Sequence, residues 1–255
     1  SDATHQLKLH GAGTYALANG VGTLGDGVVL GDTSSWTGTV AINGVNTTNM
    51  TSLLNGLGNT QSTVAVAGLS GWFNTGSTAA PESNPCTVNL ELIKGADETP
   101  AITINNLNSD SISSTQRYAV LSGDISGSGD IKFLCHSNNA NTNNQVNYKF
   151  TGDVSGWDGA FINAGAYART LHVHFAGSAT TINADIKNDG NVESCKSKLT
   201  IGDDTTAAYT VNGDVDVNYV VVNQATTFNG SLAVSETLTN NGGMTLSNDL
   251  TLAGQ

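Results

Sequence analysis

The chain has 255 residues, of which 38% are apolar and only 12% are charged, and its formal net charge at pH 7 is -12. Disordered chains are rich in charge and poor in apolar residues, so this composition favours a folded protein. Nine basic residues against 21 acidic ones argue against binding to nucleic acid, and there is no polybasic segment for anionic lipid.

Short stretches in which apolar and polar residues alternate recur along the whole chain. Such alternation, interrupted by Gly, Asn or Asp, predicts half-buried strands that are separated by tight turns. The dipeptide Asn-Gly occurs six times, and both of its residues tolerate the positive φ of a tight corner. The predicted strands include residues 63–67, 88–92, 101–104, 171–175, 198–201 and 210–222.

Three segments depart from this rhythm of strands. Residues 48–56, TNMTSLLNG, offer Thr or Asn as a cap, then a short apolar run and a terminal Gly, which predicts a short helix. Residues 75–100 contain all three prolines and read as an excursion with one embedded strand. Residues 137–147 are rich in asparagine, which predicts a loop.

One motif is repeated around two of the three tryptophans. GDTSSWTG at residues 31–38 returns as GDVSGWDG at residues 152–159, each downstream of a Gly-x-Gly pair and upstream of another strand. A weaker echo at residues 68–74 carries the third tryptophan. A unit of short strands with Gly and Asn corners cannot close its own core, so it must stack on copies of itself. We expect Gly-Asp to turn a corner of each unit and Trp to pack at its edge.

This stacking predicts an all-β protein, a right-handed parallel β-helix (β-solenoid) with irregular loop excursions. A β-sandwich is the alternative, because strands spaced by about 8 to 12 residues also suit one. Coils of roughly 20 to 25 residues would give about ten to twelve rungs. We expect residues 1–255 to form a single β-solenoid domain with excursions near 75–100 and 137–147, as a fragment of a longer exported chain.

The repeated unit resembles the autotransporter-associated β-strand repeat of exported bacterial surface proteins. In that family a Gly-x-Gly strand is followed by an aromatic-x-Gly turn and by a strand that ends in Asn or Gly. The matching residues are Gly11, Gly13, Trp36, Gly38, Asn43, Gly44, Gly127, Gly129, Trp157, Gly159, Asn163 and Gly165. The resemblance implies an autotransporter-type passenger domain, extracellular or on the outer surface of a bacterial cell, with adhesion or a structural stalk as the usual role.

Aromatic side chains are the candidate ligand-binding residues. Exposed aromatic rings near Asn and Asp form platforms on which sugars stack, so we single out Trp36, Trp72 and Trp157. Packing at coil edges is the alternative for these tryptophans. The same reasoning extends to the tyrosines Tyr15, Tyr118, Tyr148, Tyr167, Tyr209 and Tyr219.

Four aspartates are the candidate metal ligands. Asp214 and Asp216 share one face of a predicted strand, and Asp203 and Asp204 lie about half a coil earlier. Stacked rungs could bring these carboxylates together as an acidic ladder that binds Ca²⁺, the one cofactor that the sequence suggests. Separate solvated turns are the alternative.

Histidine and cysteine offer weaker signals. His172 and His174 share one strand face and could chelate Zn²⁺ or Cu²⁺ with a third ligand from a neighbouring rung, or they could simply face solvent. Cys86, Cys135 and Cys195 are irregularly spaced and form no C-x-x-C motif. Two arrangements of these cysteines remain open: one disulfide with a free thiol, or three buried thiols.

The sequence contains no obvious catalytic constellation. The Gly-x-Gly pairs are followed by strands rather than helices, which excludes a dinucleotide site. We therefore expect a non-catalytic, exported cell-surface adhesin that binds a host or environmental glycan or protein, without membrane insertion by this segment. Two alternatives stay open: a carbohydrate-active enzyme (a polysaccharide lyase or hydrolase) on the same scaffold, and a structural or self-assembling surface segment.

Overall fold

The computed structural model describes the residues in twelve stretches of the chain. These stretches are 14–17, 39–44, 46–47, 49–57, 62–71, 73, 84–105, 117–134, 145–165, 169–189, 195–203 and 207–253. Within them, short strands follow one another through tight corners, and one α-helix and one 3-10 helix interrupt the series.

The elements have the following bounds. The helices are α1 (Met50–Leu57) and a 3-10 helix at Ala96–Glu98. The strands are β1 (Thr14–Leu17), β2 (Thr39–Asn43), β3 (Asn46–Thr47), β4 (Thr63–Ala67), β5 (Leu69–Gly71), β6 (Asn89–Leu92), β7 (Ile102–Asn105), β8 (Arg117–Leu121), β9 (Ile125–Gly127), β10 (Ile131–Leu134), β11 (Gln145–Phe150), β12 (Gly156–Trp157), β13 (Ala160–Asn163), β14 (Arg169–Phe175), β15 (Thr181–Ile182), β16 (Asp185–Asn188), β17 (Cys195–Ile201), β18 (Tyr209–Val211), β19 (Val215–Val222), β20 (Thr226–Phe228), β21 (Leu232–Asn240), β22 (Met244–Leu246) and β23 (Leu250–Leu252).

Every strand pair in the described stretches is parallel. The first sheet has the order β1-β2-β4-β6-β9-β12, and the third has the order β15-β18-β20-β22. The long sheet runs β3-β5-β7-β10-β13-β16-β19-β17-β14-β11-β8, with β21 and β23 added beyond β19. The prediction of an all-β protein is confirmed. A β-sandwich, whose sheets are antiparallel, does not describe this pairing.

Apart from β1 and β2, two neighbouring strands of a sheet are not consecutive along the chain. Between them the chain passes once through other strands, and we call this passage a circuit. Asn183 and Asn212 are hydrogen-bonded equivalents that lie 29 residues apart. Toward the end of the chain the interval falls to 17 residues between Asn212 and Asn229, and to 18 between Asn223 and Asn241. Successive circuits therefore place equivalent residues next to one another.

The predicted helix is present with nearly the expected bounds. The Asn49 side chain caps α1, because its Oδ1 accepts the backbone N–H of Ser52 at 3.0 Å. Met50, Leu54 and Leu57 are buried on the inner face of α1. Across the described stretches, no helix has the length and apolar character needed to cross a membrane.

The two predicted excursions behave differently. Residues 84–105 of the described chain include β6 at the place of the embedded strand, and Cys86 forms an isolated parallel bridge with Leu121. The loop predicted at 137–147 is wrong for its last three residues, because β11 begins at Gln145. Residues 75–83 and 137–144 lie outside the described stretches.

The core consists of inward-facing side chains that stack from strand to strand. Phe150 and Phe175 are in register on β11 and β14, and their ring centroids lie 5.1 Å apart in a stacked arrangement. The centroid of the Trp157 ring lies 6.0 Å from that of Phe150. Burying one such side chain contributes roughly 1.5 to 3 kcal/mol. Repeated stacking of this kind accounts for the apolar positions of the alternating pattern.

Glycines are required where the corners of successive circuits meet. A Cβ at Gly213 would lie 2.1 Å from the carbonyl oxygen of Ala184, and one at Gly230 would lie 2.2 Å from that of Gly213. A Cβ at Gly152, in the repeated motif, would lie 2.2 Å from the carbonyl oxygen of Gly123. Real Cβ atoms do not approach a carbonyl oxygen so closely, so these three positions require glycine.

The carboxylates of three aspartates join one circuit to the next. Asp124 accepts the backbone N–H of Asp153 at 2.9 Å, Asp185 accepts that of Asp214 at 2.8 Å, and Asp214 accepts that of Ser231 at 2.8 Å. These carboxylates satisfy amides that the sheets leave unpaired. The expectation that Gly-Asp turns a corner is confirmed for the copy at 152–159, and the copy at 31–38 lies outside the described stretches.

Side-chain amides form a second set of links between circuits. Asn212 Nδ2 donates to Asn183 Oδ1 at 2.6 Å, and Asn229 Nδ2 donates to Asn212 Oδ1 at 2.8 Å. The Ser247 hydroxyl continues this ladder by donating to Asn229 Oδ1 at 3.0 Å. The asparagines of the Asn-Gly pairs at 212 and 229 are thus structural.

Replacing Gly213 by alanine should destabilise the protein, because its Cβ would force the stacked circuits apart at Ala184. We expect the free energy of unfolding to fall by roughly 1 to 3 kcal/mol, the usual cost of overpacking. Equilibrium denaturation in urea measures this change. Gly56→Ala in α1 is the matched control, since its Cβ would meet nothing within 4 Å and its stability should be unchanged or higher. An unchanged midpoint for Gly213→Ala would contradict the close stacking.

Candidate functional site

The outer surface of the long sheet carries a set of polar residues that the alternation of each strand turns outward. In β14, Leu171, Val173 and Phe175 are buried, so His172 and His174 project to the outer side. Beside β14 lie β17 and β19, in the order β14-β17-β19. Lys196 and Lys198 alternate with buried residues of β17. In β19 the register shifts between Val217 and Tyr219, and after this shift Tyr219 and Val221 alternate with the buried Val220 and Val222. This surface is therefore built by neighbouring strands from different circuits.

Strand register arranges these residues in two rows. The first row contains His172, Lys198, Tyr219 and Thr237, each paired in register with the next. The second row contains His174, Thr200, Val221 and Thr239. The rows are adjacent, so hydroxyl groups, one ammonium group and one aromatic ring share a single surface.

A groove of about 360 Å³ lies on this surface, and we call it the outer groove. It is lined by Thr170, Lys198, Tyr219, Val220, Val221, Thr237 and Thr239. The volume is within the range of pockets that hold small molecules, about 300 to 1,000 Å³. The groove combines hydrogen-bonding side chains with apolar ones.

Tyr219 is held at the edge of the outer groove by two charged residues. The Lys196 Nζ lies 2.6 Å from Glu236 Oε1, 3.4 Å from the Tyr219 hydroxyl and 5.8 Å from the centroid of the Tyr219 ring. The Tyr219 hydroxyl donates a hydrogen bond to the other carboxylate oxygen of Glu236. These contacts hold the Tyr219 ring in one orientation.

The same contacts set the protonation states of the three groups. The hydrogen bond to Glu236 raises the pKa of Tyr219, so the phenol is protonated at neutral pH. The hydrogen bond from Lys196 lowers the pKa of Glu236, so this carboxylate is ionised there. The hydrogen bond to Glu236 likewise raises the pKa of Lys196. The cluster contains a neutral phenol and one balanced ion pair.

His172 is neutral and both of its ring nitrogens are engaged. Nδ1 lies 2.7 Å from Asn147 Oδ1, and Nε2 lies 2.8 Å from Thr200 Oγ1. An amide oxygen only accepts, so Nδ1 carries the proton and Nε2 accepts from the threonine. Burial, followed by the charges of Lys198 and His174, lowers the pKa of His172 to about 3.

The histidine pair is not arranged as a metal site. The rings of His172 and His174 are parallel, with centroids 6.0 Å apart, and His174 Nε2 lies 3.1 Å from the carbonyl oxygen of Gly202. No group of three or more His, Cys, Asp or Glu side chains that could hold a metal ion occurs within the described part of the chain. Neither ring nitrogen of His172 is free to bind one.

The structure corrects the expectation for Trp157. Its side chain has 0% exposure, and its Nε1–H donates to the carbonyl oxygen of Gly129 at 2.9 Å. A fully buried indole offers no face to a sugar, so packing at a corner describes this residue and ligand binding does not. Trp36 and Trp72 lie outside the described stretches.

The structure also separates the aspartates that were expected to form a Ca²⁺ ladder. Asp203 follows β17, and its carbonyl oxygen accepts from Gln224 Nε2 at 2.7 Å, beyond the end of β19. Asp214 precedes β19, whose eight residues span roughly 26 Å of chain. Asp204 lies outside the described stretches.

Each of the remaining carboxylates has its own surroundings. The backbone and side-chain hydrogen bonds from Ser231 lower the pKa of Asp214. Asp216 is paired in register with Lys187, on the strand beside β19. Separate surroundings therefore describe these aspartates better than one shared ladder for a cation.

The two described cysteines, Cys86 and Cys195, are buried thiols. Burial raises the pKa of Cys86 to about 12, which leaves it unreactive at neutral pH. Cys195 Sγ donates to Asn163 Oδ1 at 3.4 Å within a buried polar cluster. Cys135 lies outside the described stretches. Cys86 and Cys195 are therefore not joined by a disulfide.

The residues of the outer groove were hard to recognise from the sequence. Tyr219 was one of six candidate tyrosines, and two of the others, Tyr148 and Tyr209, are buried in the core. In the sequence, Lys198 and Thr237 could be recognised only as polar residues that alternate with apolar ones in their strands. Their common location depends on strand register, which the sequence did not supply.

Comparison with known proteins finds no matching family model, no matching curated protein and no matching solved structure. The resemblance to the autotransporter-associated repeat therefore remains a prediction.

His172 should make the protein less stable in acid. Its pKa is about 3 in the folded protein against 6.5 ordinarily, so between these values only the unfolded chain takes up the proton. Stability should fall as the pH is lowered from about 6.5 to about 3. Urea denaturation at pH 7 and pH 4 should show a larger loss for the wild type than for His172→Gln. A His172 resonance that titrates near pH 6.5 in NMR spectra would contradict the buried, neutral ring.

Proposed function

We propose that the chain is a non-catalytic parallel β-helix of an exported bacterial surface protein and that it binds a glycan in the outer groove. The observation that carries the glycan-binding proposal is the outer groove itself, in which an oriented tyrosine ring stands among threonine hydroxyls and one lysine. The proposal that the chain is part of an exported surface protein rests on the resemblance of its Gly/Trp repeat to passenger domains.

Four features support the parallel β-helix. All described strand pairs are parallel, and equivalent residues recur after one circuit of the chain. Corners carry stacked glycines, and polar ladders run from circuit to circuit. Parallel strands in one sheet are joined by right-handed crossovers in nearly all known folds, which favours the right-handed form.

Sugar recognition needs a flat apolar surface and several hydrogen-bonding groups around it. The Tyr219 ring offers the first, and the hydroxyls of Thr170, Thr237 and Thr239 offer donors and acceptors for sugar hydroxyls. The groove is on an outer surface, so an extended chain of sugars can approach it without entering the core. A glycan is therefore the ligand class that the lining favours.

Protonation states around the groove support binding rather than catalysis. A glycosidase needs a carboxylic acid whose pKa is raised so that it can protonate the leaving oxygen, whereas Lys196 lowers the pKa of Glu236. A lyase needs a base, and the Tyr219 phenol is held in its neutral form. A carbohydrate-active enzyme on this scaffold is the alternative function and would need other residues.

The proposal is tested by a glycan-binding screen run together with a reducing-end assay on the same polysaccharides. We expect saturable binding and no release of oligosaccharides. Tyr219→Ala should weaken binding by roughly 2- to 12-fold, since an aromatic contact contributes about 0.5 to 1.5 kcal/mol. Tyr219→Phe keeps the ring and should retain most of the affinity.

Thr245→Ala serves as the matched control, because Thr245 is exposed on β22 of the third sheet rather than on the long sheet. Release of reducing ends by the wild type would overturn the non-catalytic part of the proposal. Equal affinity of Tyr219→Ala and the wild type would remove the outer groove as the binding site.

One observation favours self-association as a second function. Leu250 and Leu252 of β23 have exposures of 37% and 48%, and Met244 and Leu246 of β22 are only half-buried. Within the described stretches, β22 pairs only with β20 and β23 pairs only with β21. An apolar strand edge of this kind can pair with a second copy of the chain.

Sedimentation velocity tests this second function. We expect the sedimentation coefficient of the wild type to rise with concentration. The double variant Leu250→Lys, Leu252→Lys should remain monomeric, because its lysines place charge on the apolar edge. A wild type that stays monomeric at high concentration would exclude self-association through this edge.

A further inference from the structure

The outer groove places a cation on the surface of a strongly acidic chain. The chain has nine Lys and Arg residues against 21 Asp and Glu residues. Lys196 and Lys198 both project from β17 to the outer side of the long sheet, because the residues that alternate with them, Cys195, Ser197 and Leu199, are buried. The surrounding residues of the two rows are His and Thr, with Tyr219 and Val221.

The two lysines differ in how their charges are balanced. The Lys196 Nζ lies 2.6 Å from a Glu236 oxygen, so its charge is compensated. Lys198 forms no hydrogen bond or ion pair with the described residues, and it lies in the wall of the outer groove. The ammonium group of Lys198 is thus available to a ligand, whereas that of Lys196 is committed.

The neighbours of Lys198 do not compensate it. Its partners in register are His172 on one side and Tyr219 on the other, and both side chains are neutral at pH 7. The nearby carboxylate of Glu236 already accepts hydrogen bonds from Lys196 and Tyr219. A half-buried positive charge without a partner is stabilised by an anion placed within hydrogen-bonding distance.

We propose that the outer groove selects an anionic sugar, whose carboxylate or sulfate group binds the Lys198 ammonium while its ring lies beside Tyr219. This inference rests on the proposed function, since it assigns the class of glycan bound at the same site. The threonine hydroxyls that line the groove hydrogen-bond the uncharged hydroxyls of the sugar. Charge complementarity at one lysine then separates acidic glycans from neutral ones.

The test uses pairs of probes that share a backbone and differ in charge. Galacturonate oligosaccharides are compared with their methyl esters, and short dextran sulfates are compared with the parent dextrans. Isothermal titration calorimetry with the full chain measures each affinity. For at least one pair, we expect the anionic probe to bind about tenfold more tightly than its neutral counterpart, as one charge-assisted hydrogen bond provides.

Lys198→Met should abolish this preference, because it removes the ammonium group and keeps a side chain of similar length. Lys187→Met is the matched control, because it removes the same charge from β16, where Lys187 is paired with Asp185 at 3.3 Å. It should keep the preference. Equal melting temperatures of both variants and the wild type show that the fold is intact.

The possible failures can be told apart. Equal binding of charged and neutral probes, or a preference that survives in Lys198→Met, overturns the anionic selectivity and leaves glycan binding in place. If the glycan screen and all four probes give no binding, both the proposed function and this inference are overturned. The pair that shows the preference identifies the group as carboxylate or sulfate.

Discussion

The structure depends on the in-register stacking of parallel strands, which places each residue beside its equivalent one circuit away. This single constraint aligns the rings of Phe150 and Phe175 in the core and the amides of Asn212 and Asn229 at a corner. It also sets the rows of side chains that form the outer groove. Packing, corner hydrogen bonds and the candidate site therefore share one cause, and a change that shifts the register would disturb all three.

Much of the fold could be predicted because its signals are local. The alternation at Thr63–Ala67 predicted β4, and the Thr and Asn before the apolar run predicted a cap for α1, which Asn49 provides. The start of β11 was missed because its composition looks like a loop. Asn147 is 3% exposed, and its side chain is bonded to His172 on the next strand. Composition cannot reveal that a polar side chain finds its partner one circuit later.

The candidate site was less predictable than the fold for the same physical reason. The Gly/Trp motif located Trp157 correctly at a corner, but the motif does not say that its indole N–H finds a carbonyl acceptor in the core. The acidic residues at 203 and 214 looked close along the chain, whereas the length of β19 keeps them apart. Lys196 and Tyr219, which meet in the structure, are separated by 23 residues. Recognising such a site needs the register, which follows from corner lengths that vary between circuits.

Circuit length itself has an evolutionary consequence. The same column of asparagines is maintained although the interval between its members falls from 29 residues to 17. The longer circuit contains β16 and β17 as separate strands, whereas in the shorter one β19 alone pairs with both, and the stacked positions are retained. Changes of length in the connections between the stacked positions therefore leave the inward-facing residues in register, while they remodel the outer surface. A scaffold of this kind can acquire new recognition loops by small changes in length, without prior adjustment of its interior.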